Sequence, residues 1–246
     1  MPVYFIRSDQ VQGRNIAISG ALSHHLRDVL RVRVGETLRL VDEQPRRYLA
    51  TVVSVTCAGL TLTLLEAEEV KAPQGPVLHL GIGLSKNDRM DWLLQKATEL
   101  GISRLSPLMT RRSAPLPRER FDHQHRRWTR IVTEAAQQSC RWDIPAVDVP
   151  VRFETFISDA SSSDLKLILM EAEGRPGALD ARPSMRRITL LVGPAGGWDP
   201  PETHAAIQAG YSPFSLGPRT LRSETAALAA LAIVRYEVER WPPKVD

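Results

Sequence analysis

The chain has 246 residues, of which 43% are hydrophobic and 24% charged, with a formal net charge of +4 at pH 7. This composition is ordinary for a soluble globular protein, and the length allows one large domain or two small ones. No apolar run approaches the roughly 20 residues that span a bilayer, and the N-terminus lacks the basic flank and apolar core of a signal peptide. We therefore expect a cytoplasmic protein without a membrane segment.

The cysteines and histidines give no sign of a metal site. Cys57 and Cys140 are isolated, without the CxxC or Cys/His spacing of a zinc site. We expect two buried free thiols in a reducing compartment and no bound metal. His24 and His25 also lack metal-ligand spacing, and we expect them to be surface or packed side chains.

The first part of the chain is predicted to be a small β-rich unit. Strands are predicted from β-branched or alternating runs at residues 3–6, 15–19, 36–42, 47–55 and 60–68. One short helix is predicted at about residues 21–30 from the spacing of its leucines. Several short strands with one helix are typical of a small barrel, which we predict over residues 1–70. The prolines and glycine of KAPQGP resist helix and strand, so residues 71–76 are predicted to be a linker.

The second part, residues 77–246, alternates strand with helix. Strands are predicted at residues 78–84, 102–108, 165–171 and 188–193. Helices are predicted at about residues 88–100, 118–142 and 223–241, and a further helix should begin at a capping box of Asp199 and Glu202. The last helix carries an apolar stripe that ends at Trp241. This alternation is typical of a mostly parallel α/β sheet with helices on both faces.

Arginine is concentrated in the middle of the chain. Nine arginines lie between residues 104 and 142, and only Glu119, Asp122 and Glu134 oppose them. Arginine forms bidentate contacts with phosphate, so this cluster suggests an RNA or DNA partner. The alternative is a solvated helix face.

Two loops near the C-terminus carry the most specific pattern, LLVGPAGGW at residues 190–198 and LGPRTLRSETA at residues 216–226. Neither GxGxxG nor GxxxxGK[ST] is present, so a dinucleotide fingerprint and a P-loop are absent. In the second loop Arg222 directly precedes the helix, with Ser223 as the expected N-cap and Glu224 in the first turn. Two glycine-bearing strand ends predict a small-molecule pocket, although each loop alone fits an ordinary capping turn.

Two further positions have a functional and a structural interpretation. Glu171 ends an apolar strand, where a carboxylate can meet ribose hydroxyls or a cationic ligand, or can simply face solvent. Arg141, in QQSCR, can approach a base or a phosphate, or can cap the helix. No Ser/His/Asp set has motif support, so hydrolase chemistry has little backing.

The residues at this point resemble the bacterial ribosomal RNA small subunit methyltransferase E family, in the SPOUT class of knotted methyltransferases. The resemblance runs nearly end to end and is carried by residues 24–42, 86–108, 127–145 and the two C-terminal loops. It implies a PUA-like RNA-binding barrel at residues 1–70 and a SPOUT α/β domain with a deep trefoil knot at residues 77–246. It also implies a homodimer formed through the knotted domain. The implied activity is methylation of N3 of one uridine in 16S rRNA, with S-adenosylmethionine as the cofactor.

By position, the resemblance assigns the cofactor pocket to Met170, Glu171, Gly193, Pro194, Gly196, Gly197, Leu216, Gly217, Arg219, Thr220, Leu221, Arg222 and Thr225. For catalysis we predict Arg222, Glu224 and Arg141. Arginine stays protonated and cannot take the N3 proton, so it would stabilise negative charge on the uracil carbonyls or hold a phosphate. For RNA binding we predict Arg27, Arg31, Arg111, Arg112, Arg126, Arg127 and Arg130.

One position departs from the family pattern. The family usually has GPEGG, and this chain has Ala195 where the glutamate is expected. Either that glutamate is structural, or Glu171, Glu202 or Glu224 takes its place, or activity is weakened. The alternatives are therefore a SPOUT methyltransferase acting on another RNA site and a catalytically weakened RNA-binding homologue.

Overall fold

A computed structural model describes residues 2–44, 46–69, 75–159, 162–171 and 184–239. The chain divides into two compact units. One unit holds the described residues of Met1–Gln74 together with Ala136–Ile144, and the other holds those of Gly75–Ala135 and Pro145–Asp246. Most of the predicted linker at residues 71–76 and the predicted helix end at Trp241 lie outside the described residues.

The first unit is built on a six-stranded sheet whose strand order is β1-β4-β5-β6-β3-β2. Its strands are β1 Val3–Phe5, β2 Val11–Gln12, β3 Asn15–Ile18, β4 Thr37–Val41, β5 Arg46–Val55 and β6 Leu60–Glu69. The pair β1 and β4 is parallel, and the other pairs are antiparallel. In β3 the alternate residues Ile16 and Ile18 are buried, as the two-residue period of a strand requires when one face covers a core.

The short helix of this unit differs from the prediction over residues 21–30. It begins as the α-helix α1, Gly20–His24, and continues as a π-helical turn, His25–Val29, from which Leu26 packs into the core. Arg31, just beyond it, has a left-handed φ of 54°. Because a left-handed φ is incompatible with a right-handed helix, the helix does not continue through this residue.

The second unit is built on a seven-stranded sheet in which every described strand pair is parallel. The strand order is β10-β8-β7-β12-β11-β13, with β9 paired to β8. These strands are β7 Val77–Gly83, β8 Arg104–Met109, β9 Ala146–Val147, β10 Val151–Arg152, β11 Leu165–Leu169, β12 Arg187–Val192 and β13 Ser212–Phe214. The mixed α/β fold with two sheets is thereby confirmed.

Helices cover both faces of this sheet. They are α2 Asn87–Glu99, α3 Phe121–Gln138, α4 Phe153–Asp159, α5 Pro200–Gln208 and α6 Ser223–Glu239. Alternate residues of β12 belong to different apolar clusters: Leu190 packs with residues of α2, α3 and α6, and Leu191 packs with residues of α4 and α5. This alternation explains why β12 is a continuous apolar run in the sequence.

Two expectations about the middle of the chain are wrong. The helix predicted over residues 118–142 is a 3-10 turn, Arg118–Arg120, followed by α3, which ends at Gln138. It ends there because Cys140 adopts a left-handed φ of 59°.

Cys140 and Cys57 are both exposed rather than buried, since Cys140 follows the helix end and Cys57 lies in the turn between β5 and β6.

Candidate functional site

A cavity of about 670 Å³ lies at the carboxyl ends of the strands β11, β12 and β13. Because neighbouring parallel strands end at the same edge of a sheet, the segments that follow them meet there. The volume is in the range of small-molecule sites in proteins. Every predicted cofactor residue lines this cavity except Thr225, which is exposed in the first turn of α6.

The glycine-rich loop after β12 lies directly against the end of β7. A Cβ atom on Gly83 would come within 2.5 Å of the backbone nitrogen of Pro194, so this position leaves no space for a side chain. Gly197 has a φ of 70°, and its N–H donates to the carbonyl of Pro194 at 2.9 Å, which closes a tight turn. The loop therefore presents its backbone to the cavity at close range.

Trp198 fixes the other end of this loop. Its indole Nε1 donates to the carbonyl oxygen of Leu169 at 2.9 Å, which ties the loop after β12 to the end of β11. The ring lies 3.3 Å from where a Cβ of Gly193 would stand and contacts the ring of Phe153. Trp198 is not among the predicted site residues, although a tryptophan next to a glycine-rich strand end is a usable signal.

A buried carboxylate joins this loop to the segment after β8. Glu202 is 4% exposed, and it accepts hydrogen bonds from the backbone N–H of Asp199 at 3.0 Å and of Arg111 at 2.8 Å. The Asp199 carboxylate accepts from the guanidinium groups of Arg111 at 3.1 Å and Arg112 at 3.0 Å. Arg112 also donates to the carbonyl of Gly196 at 3.3 Å. The predicted capping box of Asp199 and Glu202 is confirmed, and it also has the role of clamping two loops together.

The loop after β13 is shaped by Gly217 and by the start of α6. Gly217 has a φ of 109°, and its N–H donates to the hydroxyl oxygen of Ser215 at 3.2 Å. The carbonyl of Arg222 accepts from the N–H of Ala226 at 2.8 Å, so Arg222 occupies the N-cap position. The expectation that Ser223 is the N-cap is wrong, because α6 begins at Ser223.

The carboxylates considered for catalysis occupy different environments. Glu171 is exposed and lines the cavity. Glu224 is only 9% exposed and its carboxylate accepts from the Ser223 hydroxyl at 3.3 Å, outside the lining. Glu202 is held by the two backbone N–H groups of the clamp. Ala195 is exposed and lines the cavity. Of the three glutamates, Glu171 is therefore the one that a ligand in the cavity can reach.

The structure does not bring Arg141 into the cavity lining. Its guanidinium pairs with Asp143 at 2.5 Å. Arg222 does line the cavity, together with Arg89, which is not among the predicted site residues. Of the residues predicted for catalysis, Arg222 alone contributes to the lining.

Most of the arginines predicted to bind RNA have acidic partners in the chain. Arg27 pairs with Asp28, Arg127 with Asp91 and Arg130 with Glu134, while Arg111 and Arg112 pair with Asp199. The hydrogen bond to Asp91 raises the pKa of the Arg127 guanidinium, and the bond to Asp28 does the same for Arg27. Arg31 and Arg126 are exposed. Of the arginines predicted to bind RNA, Arg112 lines the cavity.

A second polar cluster lies near the amino ends of β7 and β8. His79 lies 2.7 Å from the Ser106 hydroxyl, which donates to Asp148, and Asp148 is also held by Arg104 at 2.8 Å. Burial, and then the nearby Arg104 charge, lower the pKa of His79 to about 4, so the ring is neutral near pH 7. Because the Ser106 hydroxyl donates its hydrogen bond to Asp148, the order of groups differs from that of a hydrolase triad, in which the serine donates to the histidine.

Within the described ranges, no helix combines the length and the apolar character needed to cross a membrane. In the same residues, no group of three or more His, Cys, Asp or Glu side chains is arranged to hold a metal ion. The cavity lining supplies backbone groups, apolar side chains and arginines instead.

The chain is similar in sequence to known RNA methyltransferases. Residues 73–235 match the RNA methyltransferase domain family. The chain is 31% identical, over 240 residues, to the ribosomal RNA small subunit methyltransferase E of Synechocystis sp., covering 95% of this chain and 77% of that protein.

Two solved structures share the fold. The ribosomal RNA small subunit methyltransferase E of Neisseria gonorrhoeae, bound to S-adenosyl methionine, has a TM-score of 0.85 and 29% identity over 95% of this chain and 96% of its own. A Legionella pneumophila protein described as a methyltransferase, in complex with the cofactor SAM, has a TM-score of 0.83 and 28% identity, covering 94% and 96%.

Proposed function

Because the chain belongs to the RNA methyltransferase domain family, we propose that it methylates N3 of a uridine in the 16S rRNA of the small ribosomal subunit, with S-adenosylmethionine as the methyl donor. The observation that carries this proposal is the cavity formed by the three loops after β11, β12 and β13. Relatives named ribosomal RNA small subunit methyltransferase E favour this activity over that of a catalytically weakened RNA-binding homologue.

The residues of the cavity fit this cofactor. Backbone at Gly193, Gly196 and Gly197 lies at the surface of the cavity, where amide and carbonyl groups can meet polar atoms of a ligand. Met170, Leu216 and Leu221 supply apolar surface for a planar ring. When bound there, the cofactor supplies an electrophilic methyl group on a sulfonium.

Two side chains of the lining suit the reaction at uridine N3. Arg222 is the N-cap residue of α6 and lines the cavity, so its guanidinium can stabilise negative charge that develops on a uracil carbonyl. The N3 proton must leave, and arginine cannot accept it. Among the described residues that line the cavity, Glu171 is the one carboxylate, and we assign it as the proton acceptor. If Glu171 accepts the proton, turnover does not require the glutamate that the family usually has at the position of Ala195.

The target base has to reach this cavity outside a helical stack, since the reacting atom of a paired uridine is covered. The exposed arginines Arg31 and Arg126, with the paired Arg27, Arg127 and Arg130, are proposed to contact the RNA backbone. The PUA-like closure of the first sheet into a barrel and the trefoil knot of the second unit belong to the same proposal.

A homodimer formed by the second unit is also part of the proposal. The helices α2 and α6 contact each other and expose large apolar side chains, among them Trp92 at 45%, Ile233 at 41% and Tyr236 at 62%. Exposed apolar surface on adjacent helices is typical of a protein interface. We place the enzyme in the cytoplasm, where the ribosomal subunit would meet it.

The experiment has two steps. Calorimetry with S-adenosylmethionine should show one binding site per chain. Small subunits purified from cells that lack this enzyme should then take up one labelled methyl group, which maps to N3 of a uridine. Absence of cofactor binding refutes the enzyme, and labelling of tRNA but not of the subunit refutes the substrate.

A further inference from the structure

The cavity holds more positive charge than its proposed cofactor requires. Four arginines line it: Arg89, Arg112, Arg219 and Arg222. Glu171 is the one acidic side chain among the described residues of the lining. S-adenosylmethionine carries a sulfonium and an ammonium group against one carboxylate, so its own net charge is positive. The excess of arginine therefore indicates a second, anionic ligand.

The four arginines differ in whether the protein neutralises them. Arg112 is paired with Asp199 and bonded to the carbonyl of Gly196. The side chains of Arg89, Arg219 and Arg222 have no hydrogen-bond or ion-pair partner in the part of the chain that the structure describes. Arg89 differs from the other two because it is half-buried, whereas they are exposed.

The position of Arg89 is electrostatically unfavourable for the folded protein. It lies in the first turn of α2, next to the positive end of the helix dipole, where a cation is disfavoured. The same helix places Lys96 near its other end, where a cation is favoured, and pairs it with Glu99 at 2.8 Å. Arg89 is therefore a half-buried cation without a partner at the helix end where positive charge is disfavoured. Unfavourable local interactions of this kind are typical of functional sites.

We propose that Arg89 is a substrate-binding residue that holds a phosphodiester oxygen of the RNA strand beside the reacting uridine. This inference rests on the proposed function, because it takes the cavity as the methyl-transfer site. A phosphodiester matches the excess positive charge, and arginine binds its two oxygens in a bidentate geometry. The unfavourable helix position is then relieved when the phosphate binds.

The test compares three variants of the full chain. Arg89→Ala removes the cation, Arg89→Lys keeps the charge but loses the planar fork, and Lys96→Ala is the control that removes a cation from the same helix away from the cavity. Each is measured for S-adenosylmethionine affinity by calorimetry, for affinity to unmodified 16S rRNA over a salt series, and for thermal unfolding to verify folding.

Arg89→Ala should weaken 16S rRNA binding about tenfold or more and should lower the slope of log affinity against log salt by about 0.7 to 0.9. Its S-adenosylmethionine affinity should remain within about twofold of the wild type, while the KM for RNA rises. Arg89→Lys should keep the salt slope and lose part of the affinity. Lys96→Ala should match the wild type in every measurement.

Unchanged RNA affinity in Arg89→Ala overturns the inference. So does a loss confined to S-adenosylmethionine, which would assign Arg89 to the cofactor carboxylate instead. If the wild type binds RNA but no S-adenosylmethionine, the proposed function fails, and the RNA measurements still decide the role of Arg89.

Discussion

The clamp at Glu202 allows a quantitative prediction about the stability of the site. Its carboxylate is 4% exposed and accepts one hydrogen bond from Asp199 at 3.0 Å and one from Arg111 at 2.8 Å, both from backbone N–H groups. The bond from Asp199 caps the start of α5, and the bond from Arg111 joins α5 to the segment after β8. We expect substitution of Glu202 to destabilise the second unit more than loss of one surface charge can.

Hydrogen bonds to a charged group contribute about 1.5 to 3 kcal/mol each, and they are not fully additive when they share one carboxylate. Glu202→Ala removes both, so we expect a loss of about 3 kcal/mol in the free energy of unfolding. Glu202→Gln keeps one acceptor oxygen and turns an amide NH₂ toward the other N–H, so we expect a loss of about 2 kcal/mol. Glu154, exposed in the first turn of α4, is the matched control, and Glu154→Gln should change stability by less than about 0.5 kcal/mol.

Urea denaturation followed by far-UV circular dichroism measures these differences, provided that the slope of the unfolding free energy against urea concentration is the same in all variants. S-adenosylmethionine affinity, measured separately, should fall in both Glu202 variants because the glycine-rich loop loses its anchor. If Glu202→Gln is as stable as Glu154→Gln, the two bonds contribute nothing measurable and Glu202 does not stabilise the second unit as a clamp.

Three further predictions concern single positions. Arg222→Ala should lower kcat by at least about 100-fold with little change in thermal stability, because a donor that stabilises developing charge acts mainly in the transition state. A kcat equal to that of the wild type would show that Arg222 takes no part in the reaction. Gly83→Ala should weaken S-adenosylmethionine binding in calorimetry, since its Cβ would stand 2.5 Å from the Pro194 nitrogen and push the loop into the cavity; affinity equal to the wild type would contradict this contact. For His79, burial lowers the pKa from 6.5 to about 4. Between these two pH values the His79 ring binds a proton in the unfolded chain but stays neutral in the folded chain. The stability present above pH 6.5 is therefore lost as the pH falls toward 4, by up to about 3 kcal/mol, and His79→Gln should flatten this part of the pH profile of unfolding.

Local patterns were sufficient to predict most of the second unit. The continuous apolar run of β12 and the capping box of Asp199 and Glu202 are both present as expected. Such features depend on residues that are close in the chain, so they are visible before the fold is known. Predictions that depended on distant contacts were weaker: Cys140 was expected to be buried and is exposed, because burial is set by which distant parts of the chain pack against a residue.

The sequence by itself determined the α/β class, the two C-terminal loops and, through the family resemblance, the cofactor and the substrate class. Tertiary structure decided which charges remain available in the cavity. Arg112 and Arg89 look alike in the sequence, but Arg112 is neutralised by Asp199, far along the chain, and Arg89 has no such partner among the described residues. Ion pairing depends on distances of a few ångströms between residues that are far apart in the chain, as Arg112 and Asp199 are, and folding alone sets those distances.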